Sequence, residues 1–247
     1  MKQRYLATVA YDGKDFWGWQ SQHHHRNVHD TIEDALAKFH PEYVEIVGSG
    51  RTDRGVHAKG QRFHFDSSLG LSCRQMMLAI NSNLPEDVKV VNIEIVPTSF
   101  HCRFHATTKR YDYWINNGPY DLFERDRQLY VKDPLNLDLM RQASLLFIGQ
   151  HDFSTFCANR LSEQENQVRS ISRLDIIQHG TTIQLIFEGK GFLRYMVRML
   201  TQTLIEVGRQ RITVDDAARM LAAKDKDVCR FNAKPHGLYL VEVRYED

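Results

Sequence analysis

The chain has 247 residues, room for one large domain or two small ones with a sizeable core. Hydrophobic residues make up 42% and charged residues 26%, as in ordinary soluble globular proteins. The net charge of +1 leaves a nucleic-acid ligand open, because such a ligand needs a local basic groove, not a basic whole. No apolar run approaches the roughly 20 residues that span a bilayer. Met1-Lys2-Gln3-Arg4 runs straight into a strand-like segment, so no secretory leader is expected. Cys73, Cys102, Cys157 and Cys229 are dispersed without a Cys-x-x-Cys pair, which fits a reducing cytoplasm and gives no support for zinc.

Tyr5–Tyr11 has strand composition and ends at the turn signal Asp12-Gly13. Phe16-x-Gly18-Trp19-Gln20-x-Gln22 follows, readable as an aromatic cluster roofing the core. His23-His24-His25 cannot share one face of a helix or strand, so a solvated loop is expected there rather than a metal site. Val28, Ile32, Ala35, Leu36 and Phe39 recur at helical spacing, with Asn27 as N-cap. Tyr43–Val47 and Gly60–Asp66 read as strands on either side of a glycine-rich loop. A second helical stripe, Cys73 to Leu84, stops at Pro85; Val88–Val96 is a strand, and Pro97-Thr98-Ser99 is the best linker.

The same order of elements then recurs. His105–Asn116 is a long aromatic-rich strand; Leu139 to Phe147 form a helix closed by Gly149 at C′. Val168–Ile177 and Thr182–Glu188 flank a hairpin turn at His179-Gly180. Phe192–Val207 and Thr213–Ala223 are helices, and Leu238–Tyr245 is a last strand. The order β-α-β-β-α-β, twice, predicts an α+β chain of two tandem ferredoxin-like halves with mainly antiparallel sheets, residues 1–98 and 99–247.

The loop Gly48-Ser49-Gly50-Arg51-Thr52-Asp53-Arg54-Gly55-Val56-His57-Ala58 concentrates the chemistry. Its three glycines permit positive φ and a close approach of a ligand to the backbone. One carboxylate, Asp53, stands among two guanidinium groups, a pattern that a surface turn with a local ion pair would also give. No Gly-Lys-[Ser/Thr] follows, so it is not a phosphate loop of the nucleotide-hydrolase type. In Lys109-Arg110-Tyr111-Asp112-Tyr113 the two tyrosines share one strand face, and an exposed ring there could stack on a base. Arg198 falls just off the apolar stripe of the helix from Phe192, at the core margin.

Gly50-Arg51-Thr52-Asp53-x-Gly55-Val56-His57-Ala58 resembles the signature loop of the tRNA pseudouridine synthase A family. Tyr11-Asp12-Gly13-x-x-Phe16-x-Gly18-Trp19-Gln20-x-Gln22, Phe100-His101-x-Arg103-Phe104-x-Ala106 with Lys109 to Tyr113, and Gly191-Phe192-Leu193-x-x-Met196-Val197-Arg198 are similar to its further motifs. The likeness runs from about Tyr11 to Tyr245. It implies an active-site cleft between the two halves, with Asp53 as nucleophile, Tyr111 packing on the target uracil and Arg198 pairing with Asp53. Arg51, Arg54, His57, Lys109 and Arg110 become candidate substrate contacts. It also implies uridine isomerisation in the tRNA anticodon stem-loop, at positions thirty-eight to forty, by a cytoplasmic homodimer with no metal and no organic cofactor. A single loop carboxylate suits isomerisation better than glycosidase chemistry, which needs two.

Three departures stand out: Arg54 where the family usually has a small residue, His29 where Gln is common, and Met199-Leu200-Thr201-Gln202 after the helix Arg. They leave two alternatives open, a synthase for other RNA sites and an RNA-binding module of the same fold without the chemistry.

Overall fold

The computed structural model describes residues 2–158 and 166–246. Its elements are β1 (Gln3–Tyr11), α1 (Val28–Ala37), β2 (Val47–Gly48), β3 (His57–Ser67), α2 (Cys73–Asn81), β4 (Val88–Val96), β5 (Ala106–Asn116) and β6 (Leu129–Tyr130). There follow α3 (Leu137–Ser144), β7 (Gly149–Asp152), β8 (Val168–His179), β9 (Thr182–Gly189), α4 (Met196–Gly208), α5 (Val214–Ala223) and β10 (Leu238–Tyr245). The expected α+β class with mainly antiparallel pairing is what forms. No described helix is long and apolar enough to cross a membrane. The chain divides into two compact units, one running to Thr107 and resuming at Tyr239, the other Thr108–Leu238.

In the first unit the strand order β4-β1-β3-β2 is the ferredoxin-like one, and β10 runs parallel to β3 at His57–Ala58. Tyr5, Ala7 and Val9 of β1 are buried, as are Phe63 and Phe65 of β3, and Tyr5 stacks on Phe65 at 5.4 Å. The predicted stripe of α1 is buried at Val28, Ile32, Ala35 and Leu36, and that of α2 at Met76 and Ile80. Each Val, Ile, Leu or Met among them contributes about 1.5–3 kcal/mol by leaving water. Asn27 caps α1 through the Asp30 amide, as expected, and Ser72 with Gln75 closes a capping box on α2.

Tyr43–Val47 is not a strand; pairing is confined to Val47–Gly48. The Ile46 amide donates instead to the Glu33 carboxylate, and Tyr43, largely exposed, reaches the same group, so the segment is held by a side chain of α1 rather than by a ladder.

The second unit has the strand order β5-β9-β8-β7, with β6 parallel to β5. Helix α4 is buried almost all round, and a Cβ on its Gly208 would lie 2.7 Å from Met140 Sδ of α3, so glycine sets that crossing. Three sequence expectations shift here. Helix α4 begins at Met196, not Phe192, because Tyr195 adopts a left-handed φ of 65° that no right-handed helix admits. The α3 segment ends in a 3₁₀ turn at Leu145–Phe147, so Gly149, at φ 101°, opens β7 instead of closing the helix. The β8–β9 turn is Gly180-Thr181, since His179 already pairs with Thr182.

Candidate active site

The loop between β2 and β3 is held by its own hydrogen bonds. Ser49 is fully buried; its amide donates to Arg62 O at 2.7 Å and its hydroxyl to Gln61 Oε1 at 2.7 Å. Gln61 in turn donates to Gly50 O at 3.0 Å. Thr52 Oγ1 meets the Tyr11 hydroxyl at 2.8 Å in a buried bond, and the Val56 amide turns back to Asp53 O at 3.1 Å. Burial pushes the Tyr11 phenol up, so it keeps its proton for that bond. Asp53 itself is half-buried, between exposed Arg51 and Arg54.

A second loop, Gly13 to Trp19, is laid directly on the first. Trp19 donates its amide to Thr52 O at 3.1 Å, and Gly55 donates to Phe16 O at 3.1 Å. The approach is close enough that a Cβ on Gly18 would sit 2.5 Å from Thr52 O, and one on Gly13 1.9 Å from Val56 O. Phe16 and Trp19 are buried, as the sequence reading expected of an aromatic roof. His57 is buried as well, parallel to the Tyr239 ring at 4.7 Å. Its Nδ1 lies 3.1 Å from the Gly13 amide and 3.0 Å from Asp12 Oδ1. It accepts from the amide when bare and donates to the carboxylate when protonated.

The residue missed in the sequence is Trp17, hidden at an unspecified position of the aromatic motif. It is half-buried, with the Arg54 guanidinium 3.8 Å over its ring and the His25 ring stacked on it at 3.6 Å. No sequence pattern marked it, because Phe16 to Trp19 is an irregular loop in which the buried aromatics stand three apart. His23, His24 and His25 lie in an exposed loop, as expected. His29, Asp30 and Glu33 bring donor atoms within 4.8 Å of one another. Those carboxylates are engaged by Ser21, Asn27, Tyr43 and Ile46, which explains the trio as a brace of α1.

In the second unit, Tyr111 of β5 is buried with Phe192 edge-on at 5.3 Å. Arg110 forks onto Asp112 at 2.8 and 3.0 Å, and Asp112 also accepts from Gln184 at 2.7 Å, so the far face of this strand is a buried polar cluster rather than a solvated one. Lys109 is half-buried. Arg198, on the first turn of α4, is 9% exposed; Nε donates to Ala233 O at 2.7 Å and the guanidinium lies 4.7 Å over the Tyr195 ring. The left-handed Tyr195 thus supplies a shelf for the arginine at the helix start. The structure brings Asp53 together with Arg51, Arg54 and His57 in one unit, and Lys109, Arg110, Tyr111 and Arg198 belong to the other.

Residues 7–105 and 143–246 match the family model described as tRNA pseudouridine synthase. Proteins named tRNA pseudouridine synthase A are similar over nearly their whole length. The one from Bacillus pumilus is 42% identical over 244 residues, 98% of each chain. That from Listeria monocytogenes serotype 4a is 41% identical over 247 residues, covering 98% of this chain and 99% of its own. That from Exiguobacterium sibiricum is 37% identical over 245 residues, 99% and 98%. Fold, loop and matches together define an isomerase. The chain belongs to the tRNA pseudouridine synthase family.

Proposed function

We propose that this chain isomerises uridine to pseudouridine in the anticodon stem-loop of tRNA, at positions thirty-eight to forty, with Asp53 as the nucleophile. The observation that carries the reading is the Asp53 loop: a half-buried carboxylate on a backbone fixed at Thr52 and Val56 and backed by a second loop. Such fixing limits the freedom a reacting group must lose, which is where much of an enzyme's advantage arises.

The target nucleotide leaves the stack at a cost of a few kcal/mol, less in a loop. Asp53 attacks the nucleoside and the N1–C1′ bond breaks; the uracil turns, a C5–C1′ bond forms, the bond to Asp53 breaks, the C5 hydrogen leaves as a proton and N1 takes one up. Atoms balance without any redox partner. Tyr111 is the proposed platform for the uracil, a role that rests on its motif. Arg198 is the proposed counter-charge that keeps the nucleophile ionised; an Arg beside a carboxylate favours the charged form by about 1–3 pKa units. Its Nε bond to Ala233 O would hold it rigid for that task. Arg51 is exposed and suited to a backbone phosphate, with Lys109 and Arg110 proposed as further RNA contacts. His57 acts in this reading by bracing the loop between Gly13, Asp12 and Tyr239. A homodimer in the cytoplasm is the assembly proposed with it.

The test uses tRNA tritiated at uridine C5, with release of label measured and the modified sites mapped. Release with pseudouridine at the proposed positions supports the reading; a map confined to other sites leaves the chemistry and removes the substrate assignment.

A further inference from the structure

We infer that Trp17 and Arg54 form a preorganised clamp for an RNA phosphate at the rim of the Asp53 loop, with His25 completing the stack. The inference rests on the tRNA reading and adds a site to it. Arg26 and Arg62 of the same unit also lie over rings, those of Phe16 and Tyr245. Arg4 is bound to Asp66, Arg26 forks onto Asp87 and Arg62 meets Glu94, so their guanidinium groups have carboxylate partners. Arg54 is exposed and its guanidinium carbon lies 3.8 Å from the Trp17 ring centroid, yet among the described residues it has no hydrogen-bond or ion-pair partner. An arginine held by its face presents its N–H edge outward, and that edge matches the oxygen pair of a phosphate.

The shelf itself is fixed. The Trp17 amide donates to Arg26 O at 2.8 Å, and Gln22 donates to Trp17 O at 3.2 Å. His24, at a left-handed φ of 66°, turns the chain so that His25 lies on the indole only 6° from parallel. A non-glycine residue persists in that conformation where its surroundings hold it. Arg51 is exposed on the same loop, which adds a second positive charge beside Arg54. Trp17 acts through Arg54 and is a positioning residue.

The experiment measures affinity of the full-length protein for labelled tRNA across a salt series, for wild type, Arg54→Ala, Arg54→Lys, Trp17→Ala and the double variant Trp17→Ala/Arg54→Ala. Loss of one phosphate contact in Arg54→Ala should flatten the log–log salt slope by about 0.7–0.9. Arg54→Lys keeps the slope and loses the stacked pose, weakening binding about two- to fivefold. Trp17→Ala should match Arg54→Lys, and the double variant should be no weaker than Arg54→Ala. Trp17→Phe, which retains a ring, should bind near the wild-type level and serves if Trp17→Ala does not fold. An Arg54→Ala protein with unchanged affinity and slope overturns the clamp, and fully additive effects of Trp17 and Arg54 overturn the preorganisation. Either result with a wild type that still makes pseudouridine leaves the proposed function standing; a wild type that neither binds nor isomerises tRNA overturns both.

Discussion

The Tyr11 hydroxyl meets Thr52 Oγ1 at 2.8 Å, which ties the residue before Asp53 to the end of strand β1 inside the first unit. Tyr11→Phe leaves the Thr52 hydroxyl without that partner and should cost about 1–3 kcal/mol in stability. If the bond positions Asp53, kcat should fall by up to about 10²-fold with little change in KM. Urea denaturation and steady-state kinetics check the two effects separately. A stability loss with wild-type kcat would make the bond purely structural.

Gly18 combines a φ of 98° with a Cβ position 2.5 Å from Thr52 O. Gly18→Ala therefore meets both backbone strain and a collision with the Asp53 loop, and should cost well over about 3 kcal/mol, with activity lost. Gly70 is the control: its φ is 64°, but nothing lies within 4 Å of its Cβ position. Gly70→Ala should cost only about 1–2 kcal/mol, the left-handed term alone. Thermal unfolding of both variants compares the two costs; equal losses would mean the loop yields freely.

Much of this was legible in the sequence because it is local. The stripes of α1 and α2, the Asn27 cap and the glycines around Asp53 are short-range signals, and they place a carboxylate in a built loop. What was not legible depends on partners far along the chain. Tyr43–Val47 has strand composition, yet Glu33 takes the Ile46 amide. Phe192 and Tyr195 fit a helical stripe, but the left-handed Tyr195 forms a shelf under Arg198 instead. Trp17 stands at an unspecified position of the aromatic motif, and its contact with Arg54 of the other loop arises only in three dimensions.

Acid should destabilise the first unit in a defined window. His64 is buried on β3, where burial first, then Arg4 and His101, hold its pKa at about 4 against an ordinary 6.5. Between those values the unfolded chain binds a proton that the folded chain refuses. Stability is therefore full above about 6.5 and falls as pH drops toward 4, with a slope from this group of up to about 1.4 kcal/mol per pH unit. His40 and His101 are lowered in the same direction, chiefly by burial. His64→Asn should flatten part of the pH dependence of the urea midpoint; an unchanged profile would remove His64 as a contributor.

Arg198→Gln removes the charge proposed to keep Asp53 ionised, with the loss of the Nε bond to Ala233 O. Turnover at neutral pH should fall on the order of 10²–10³-fold, more than tRNA affinity. Arg198→Lys, which restores charge without the fork, should recover part of that loss. Single-turnover rates measure it, and equal rates for the Lys and Gln variants would show that charge is not what Arg198 supplies.

Asp53 is proposed to form the reactive contact with the nucleoside. Release of tritium from C5-labelled uridine in tRNA, followed in a single turnover with Asp53→Ala at saturating enzyme, tests it most directly. No release is expected from a variant that still binds tRNA and keeps the wild-type unfolding midpoint. Release at even a few per cent of the wild-type rate, with pseudouridine in the product, would contradict it.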